Sequence, residues 1–382
     1  MTIETKSLSA LEVFRLDPLT ENVPLEAWQA LCDSAIDPNP FFGPGFLLPF
    51  LERMARRSVH LMVVSEKDTG KWLIAAPVGR RRLGLALPVN TTWATEYAPL
   101  GTPLMHPASG EKAVQAFLVA AAEPAGTLAI PYLPLESETA RRLMGTTSDQ
   151  ITVAAESERA SHAAGPAGDA QLAEAFTGKR RKEMRRLLRR LADHGEVRFV
   201  TLEGDDVPAG FEAFLELEKG GWKGRSGTAL LSQSQTATFA REAIRNRSEA
   251  KGVRIDQLWA GSTLVAALVL FREQGRVFSW KIAFDEQFAR FSPGAQIALQ
   301  ALRQNLAQSG FEEADSLAIP GHSMIEPLWR GRLRTGTVLF GNGSLSGLRQ
   351  ALCAADLTME QTLRQIGRAA KKQLGAYTSA RA

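Results

Sequence analysis

Residues 277–310 read VFSWKIAFDEQFARFSPGAQIALQALRQNLAQSG, and their reading decides the fold. The stretch from Val277 to Phe284 is rich in β-branched and aromatic residues, which suits a largely buried strand. After a short turn, Ser292 offers an N-cap oxygen. Pro293 follows at the first helical position, where its missing N–H costs nothing and its φ already matches the helix. Gly294 leaves the backbone bare. Ala298, Leu302 and Leu306 recur at helical spacing, Ile297 and Ala301 widen the stripe, and Gly310 is placed to end the helix in the left-handed conformation. Such a helix start presents unsatisfied N–H groups and about half a positive charge, favouring a phosphate or carboxylate by about 0.3–1 kcal/mol. A pyrophosphate site fits these residues, and so does an ordinary capped helix on a sheet. The elements around the stretch have to choose.

At 382 residues, 45% apolar and 23% charged, the chain has the composition of a globular protein with two domains of ordinary size. No apolar run is long enough to cross a bilayer, and MTIETKSLSALEVF lacks the features of a secretory signal, so a cytoplasmic protein with no membrane span is expected. Cys32 and Cys353 stand far apart and the five histidines are scattered, which points to neither a disulfide framework nor a metal site. The formal charge of +4 hides one basic patch: residues 179–190, KRRKEMRRLLRR, carry eight cations and one acid. Met184, Leu187, Leu188 and Leu191 form an apolar stripe on it, so the patch is an amphipathic helix. Its cationic face is either a solvated surface or a phosphate-binding one, for a cofactor, an anionic acceptor or RNA.

The N-terminal half alternates strands and helices. Strands are expected over 8–16, 59–65, 72–80 and 127–133, and helices around 25–32 (Leu25, Trp28, Leu31 and Cys32 inward), 46–54, 110–122 and 136–144. The segment LGLALPVNTTWATEYAPLGTPLMHP brings Trp93 and Tyr97 into one loop, which either walls a ligand cleft or is pinned by aromatics in the core. The pattern then weakens over 145–170, with one short strand at 151–155, and the domain boundary is expected near Gly165 to Gly168. Residues 1–165 and 166–345 thus form two units, followed by a helical tail over 346–382 that packs on its own domain or joins a homodimer. From Glu196 onward the order reads β-α-α-β-β-β-α-β-α-β, the eighth element being ADSLAIP and the ninth SMIEPLWRG.

That order resembles the GNAT N-acyltransferase superfamily. More narrowly, KRRKEMRRLLRRLADHGEV, EKGGWKGRSGTALL, FDEQFARFSPGAQI and ADSLAIPGHSMIEPLWRGR look like the CelD-like acetyltransferases associated with cellulose and exopolysaccharide biosynthesis. The first unit looks like a degenerate GNAT-like partner, a two-unit plan shared with Fem-type transferases, which move amino acids from tRNA. The implied fold is α/β (α+β): two GNAT-like units, each a mixed central sheet flanked by helices.

The resemblance implies acetyl-CoA as co-substrate and a small, sugar-linked or other acceptor. The pyrophosphate would lie at Arg290, Phe291, Ser292, Gly294 and Ala295, and the strand 277–285 would splay from ADSLAIP to admit the thioester. Two departures stand out. Phe291 lies three residues before Gly294, and Gln296 stands where that superfamily's loop has a small residue. In addition, no tyrosine occurs between Tyr132 and Tyr377 to protonate the thiolate, which leaves solvent or Tyr97 from the other unit. Acyl transfer to an amine also needs a base, for which Glu218, Asp285 and His322 are the candidates. Trp222 and Lys223, set among four glycines, offer a flat face and a charge to an acceptor, with Trp93 and Tyr97 across the cleft. The alternatives are an aminoacyl-tRNA-dependent transferase, motivated by the basic helix, and a non-catalytic binding protein, motivated by the two departures.

Overall fold

The computed structural model describes residues 6–8, 10–20, 22–54, 59–146 and 150–379; the expected units therefore extend at both ends beyond the described residues. The alternating and β-branched runs of the first half form the strands Lys6–Leu8 (β1), Leu11–Leu16 (β2), Val59–Glu66 (β3), Trp72–Arg82 (β4), Pro88–Thr92 (β5), Leu104–Met105 (β6), Thr127–Pro134 (β7) and Ile151–Ala163 (β8). Between them lie the helices Leu25–Ser34 (α1), Pro44–Met54 (α2), Glu111–Ala122 (α3) and Glu138–Thr146 (α4). The second half follows with Gly165–Ala175 (α5), Gly178–Leu191 (α6), Val197–Glu203 (β9), Val207–Gly220 (α7), Trp222–Arg225 (α8) and Ser234–Glu249 (α9). It continues with Val253–Ala260 (β10), Thr263–Glu273 (β11), Arg276–Phe284 (β12), Pro293–Ala307 (α10), Glu313–Asp315 (β13), Gly331–Gly341 (β14) and Ser346–Ser379 (α11).

The strands join in one fourteen-stranded sheet ordered β1-β2-β3-β4-β5-β7-β14-β8-β13-β12-β11-β10-β9, with β6 added beside β4. Each half repeats the same plan. Strands β2 to β5 are antiparallel, β5 is parallel to β7, and β7 meets an antiparallel neighbour, β14. Strands β9 to β12 are likewise antiparallel, β12 is parallel to β13, and β13 meets an antiparallel neighbour, β8. The sixth strand of each half comes from the other half, and β8 and β14 pair along the centre. The expected boundary near Gly165 falls at the start of α5, yet the sheet is continuous across it.

Several expectations are corrected. The weakly patterned stretch after Gly145 holds not a short strand but the thirteen-residue β8, whose buried positions include Arg159, Ser161 and His162. A central strand lined with polar side chains that find partners does not show apolar alternation. ADSLAIP contributes only its first residues to β13, and SMIEPLWRG forms turns, not a helix. Leu25 is 49% exposed, because it sits at the first turn of α1 and the buried side is carried by Trp28, Leu31 and Cys32.

The core on one face of the sheet is aromatic and spans both halves. Phe46 of α2 meets Phe239 of α9, Phe271 of β11 and Trp280 of β12 edge-on, with ring centroids 5.3, 5.8 and 6.0 Å apart. Edge-to-face pairs add about 0.5–1.5 kcal/mol each beyond the area they bury. The opposite face is covered by α5, α6 and α10, with Met184, Leu191, Ile297, Leu302 and Trp329 in its core. The basic helix is anchored there, where Gln296 donates to the Met184 carbonyl at 3.0 Å.

Candidate active site

Strands β12 and β13 pair over three rows only, from Arg276 opposite Glu313 to Phe278 opposite Asp315. There β13 ends, the chain turns away at Leu317 with a left-handed φ of 51°, and β12 runs on to Phe284. A fork opens between them from Ser279 onward, as expected for 277–285 and ADSLAIP. Within it β12 carries a bulge: Lys281 faces Val269 and Ser279 faces Leu270, so Trp280 is the extra residue. Bulges re-aim side chains, and this one turns Lys281 toward the first half of the chain.

Tyr97 meets it there. Its carbonyl accepts the Trp280 indole N–H at 2.8 Å, and its ring lies 5.1 Å from the Lys281 ammonium. Burial, and then the nearby Lys223, pull the Lys281 ammonium down to about 8. Burial pushes the Tyr97 hydroxyl up while Thr236 hydrogen-bonds to it, so the phenol remains a proton donor at neutral pH. Lys223, from α8, donates to Glu218 at 2.8 Å and to the Ile282 carbonyl of β12 at 3.2 Å. His322, on the loop after β13, is held neutral, chiefly by burial and then by Lys223. Its Nδ1 is buried without a partner among the described residues.

Of the residues predicted from sequence, Glu218, Lys223, Tyr97 and His322 therefore meet in the fork, and the others do not. Glu218 is 3% exposed, and both its oxygens are taken, by Lys223 and by the Leu230 amide at 2.8 Å. Its position is thus set by Lys223 and the Leu230 amide, and the role the structure gives it is to hold Lys223. Asp285 accepts from the Gln287 amide at 2.9 Å and so caps the short 3₁₀ turn Glu286–Phe291, because a carboxylate two residues before a free N–H bonds it in preference to a substrate. Trp222 is 55% exposed, tied by its amide to Glu286 at 2.8 Å. Trp93 is core: its ring lies against Gly79 and under the Arg81 guanidinium at 4.7 Å. Lys281 was missed, although a lone lysine inside the apolar strand VFSWKIAF was the signal to follow.

On the far side of β12, α10 begins as expected at Pro293, but its cap is different. Ser292 is left-handed (φ 53°) and makes no side-chain capping bond. Gly294 is not bare either: a Cβ there would come within 2.0 Å of the Met324 sulfur, so any larger residue displaces the Met324 side chain. Phe291 is buried, and Arg290 stacks on it at 4.7 Å while reaching the His194 ring nitrogen at 3.3 Å. The first amide bonded within the chain is that of Gln296, to the Ser292 carbonyl. The Gly294 and Ala295 amides and the cationic face of α6 beside them suit a phosphate in charge. Met324, an unbranched thioether, is the neighbour that has to yield room.

A separate recess of about 340 Å³ starts at Phe278, about 10 Å along β12 from Lys281. Asp37, Glu313 and Asp315 face Arg276 and Arg332 in it. Arg276 pairs with Asp37 at 3.0 Å, and burial pushes the Glu313 carboxyl up. Among the described residues, no group of His, Cys, Asp and Glu could hold a metal ion, and no helix is long and apolar enough to cross a membrane.

Residues 178–322 match the family model described as Acetyltransferase (GNAT) domain. Over that segment the chain is similar to GNAT-type acetyltransferase domains. The segment runs from α6 through the fork to His322, so every candidate except Tyr97 and Trp93 lies inside it. No curated protein sequence matches the chain. Among solved structures, the chain is similar to FemX, at 10% identity over 87% of this chain and 99% of that one, with a TM-score of 0.55. It is also similar to the C-terminal domain (DUF2156) of a putative lysylphosphatidylglycerol synthetase from Agrobacterium fabrum, at 13% identity over 89% and 96%, with a TM-score of 0.53. A conserved protein of unknown function from Bacteroides thetaiotaomicron gives 12% identity over 89% and 100%, with a TM-score of 0.54. At such identities the likeness is one of fold, and it extends over both halves of the chain, beyond the matched segment itself.

Proposed function

We propose that the chain is an acyltransferase that moves an acyl group, acetyl from acetyl-CoA in the simplest case, onto an amine or hydroxyl of a small acceptor in the cytoplasm. The observation that carries this is the fork between β12 and β13 with Lys281 on its floor and Tyr97 beside it. A pantetheine arm laid in the fork completes the open edge of β12, and its pyrophosphate meets the Gly294 and Ala295 amides. The acceptor nitrogen or oxygen attacks the thioester carbonyl, Lys281 in its neutral form takes the proton, the C–S bond breaks, and the Tyr97 phenol protonates the thiolate. Lys223, fixed by Glu218, keeps the Lys281 proton labile by like-charge repulsion. A sugar-linked acceptor of exopolysaccharide biosynthesis, as the CelD-like resemblance implies, is the finer reading.

Calorimetry with acetyl-CoA tests the donor. Gly294→Asp would collide with Met324 and confuse binding with folding, so Ala295→Asp is the better probe. A carboxylate in the first turn suits the helix dipole, by about 0.3–1 kcal/mol, yet repels a phosphate. Binding weakened at least about tenfold with an unchanged melting temperature is the expected result. Unaltered affinity would remove the helix start from the site, and no binding by the native protein would remove CoA.

One observation favours a second reading, transfer from aminoacyl-tRNA. Helix α6 exposes Lys179, Arg181, Lys182, Arg185, Arg186, Arg189 and Arg190, with Glu183 as its one acid. The neighbouring Arg303 of α10 is pulled down by burial, Arg185 and Arg181. That reading predicts tRNA binding that falls by about 10³-fold or more between low and physiological salt. A titration without a shift at low salt excludes it.

A further inference from the structure

Helix α11 is two-faced. Gln350, Asp356 and Leu357 are buried on its inner side against the sheet, where Asp356 accepts from the amides of Leu85, Ala86 and Leu87. On the outer side Leu348, Leu352, Met359, Leu363 and Ile366, with Leu345 in the turn just before the helix, are each 51–60% exposed. Scattered exposed leucines are ordinary; six in line are not. Leu345, Leu352, Met359 and Ile366 repeat every seven residues, with Leu348 and Ala355 three residues after the first two. This is the a and d spacing of two heptads, carried into a third whose d position is Thr362, with Leu363 beside it. An apolar row that keeps a seven-residue repeat drifts by about 20° per heptad around a straight helix, so it meets a partner continuously only when the partner is another helix wound on it.

We infer that this face pairs with α11 of a second copy, making the protein a two-fold dimer. The flanks fit a self-pair. Over 345–367 the ionisable residues are Arg349 and Arg364 against Asp356 and Glu360, with Glu360 paired to Arg364 and Asp356 engaged on the inner side. Within 345–367 the row therefore carries no net charge to repel its own copy; the basic residues Arg368, Lys371 and Lys372 follow it in sequence, and the vesicle measurement below tests whether they draw it to a lipid surface. The area also fits: six such side chains expose on the order of 600 Å² per copy, or about 1,200 Å² for a pair, which reaches the range of specific interfaces. The pairing face is opposite the side packed on β8 and β14, so it leaves the sheet untouched.

Sedimentation velocity of the full chain, at about 1 to 100 µM, is the test. The native protein is expected to sediment as a dimer. The double variant L352E/M359E should be monomeric, with its dimer dissociation constant raised at least about a hundredfold and its circular dichroism and melting temperature unchanged. A second variant, Ile366→Lys, should weaken the dimer in the same direction. A native protein that is monomeric throughout, or a double variant that remains dimeric, overturns the inference. Binding of a monomeric native protein to phosphatidylcholine/phosphatidylglycerol vesicles, lost in the double variant, would overturn it in favour of a lipid surface.

Discussion

Replacing Lys281 by methionine is expected to lower kcat/KM for acyl transfer by about 10²- to 10⁴-fold, the usual contribution of a positioned acid or base. Methionine keeps an unbranched chain up to the ε position and has no amine. Because the native amine must be neutral to take a proton, kcat/KM should rise with pH up to about 8 and level off above it. In Lys281→Met that limb should vanish. The fold should survive, since exchanging a buried charge for a methylene chain is often neutral or stabilising. Stability gives an independent readout. The Lys281 amine titrates near 8 in the folded protein and at 10.5 in the unfolded chain, so between these values the unfolded chain binds more protons and stability rises with pH. That rise in urea midpoint should disappear in the variant. Activity within about fivefold of native, or an unchanged pH limb, would remove Lys281 from the mechanism.

Arg159→Met should destabilise the fold by about 3–5 kcal/mol, measured as a lower urea midpoint. Arg159 of β8 and Asp315 of β13 form an ion pair with side chains 5% and 7% exposed, and the variant leaves a buried carboxylate alone. Arg159 also donates to the Pro99 carbonyl at 3.0 Å, two residues from Tyr97. The loop that brings Tyr97 to the fork is therefore pinned by the same guanidinium, and kcat should fall even where the variant is folded. Converting both partners, R159M/D315L, should recover most of the stability, because two apolar groups leave no charge unpaired. A single variant that loses less than about 1 kcal/mol would show that water already reaches the pair.

Local order was largely legible in the sequence. Residues 277–310 announced a strand, a turn and a helix begun by proline, and the structure has Arg276–Phe284 and Pro293–Ala307 there. The stripe Met184, Leu187 and Leu191 is the buried side of α6. These signals are local, since periodicity and proline geometry act within a few residues. Where a partner from elsewhere sets the outcome, the reading failed. Ser292 looks like an N-cap but lies in the left-handed region, because it also ends the 3₁₀ turn Glu286–Phe291, its amide bonded to the Ala289 carbonyl. Gly294 looks bare but is small so that Met324 can approach. The polar residues of β8 suggested no long strand, yet Arg159 pairs with Asp315 and His162 lies 3.0 Å from the Asn305 amide.

By itself, then, the sequence determined the mixed α/β class, the order of elements in the second half up to the Pro293 helix, the amphipathic basic helix and the likeness to GNAT enzymes, all of which rest on short-range pattern. Tertiary structure alone decided that β8 and β14 are exchanged between the halves and that the fork opens after Phe278. It also decided that Glu218 is spent on holding Lys223 while Lys281 and Tyr97, 184 residues apart in sequence, come together. Pairing register, bulges and burial depend on residues distant along the chain, and a side chain's chemistry follows from what surrounds it: an amine in water titrates near 10.5, and the same amine enclosed by Trp280, Tyr97 and Lys223 titrates near 8.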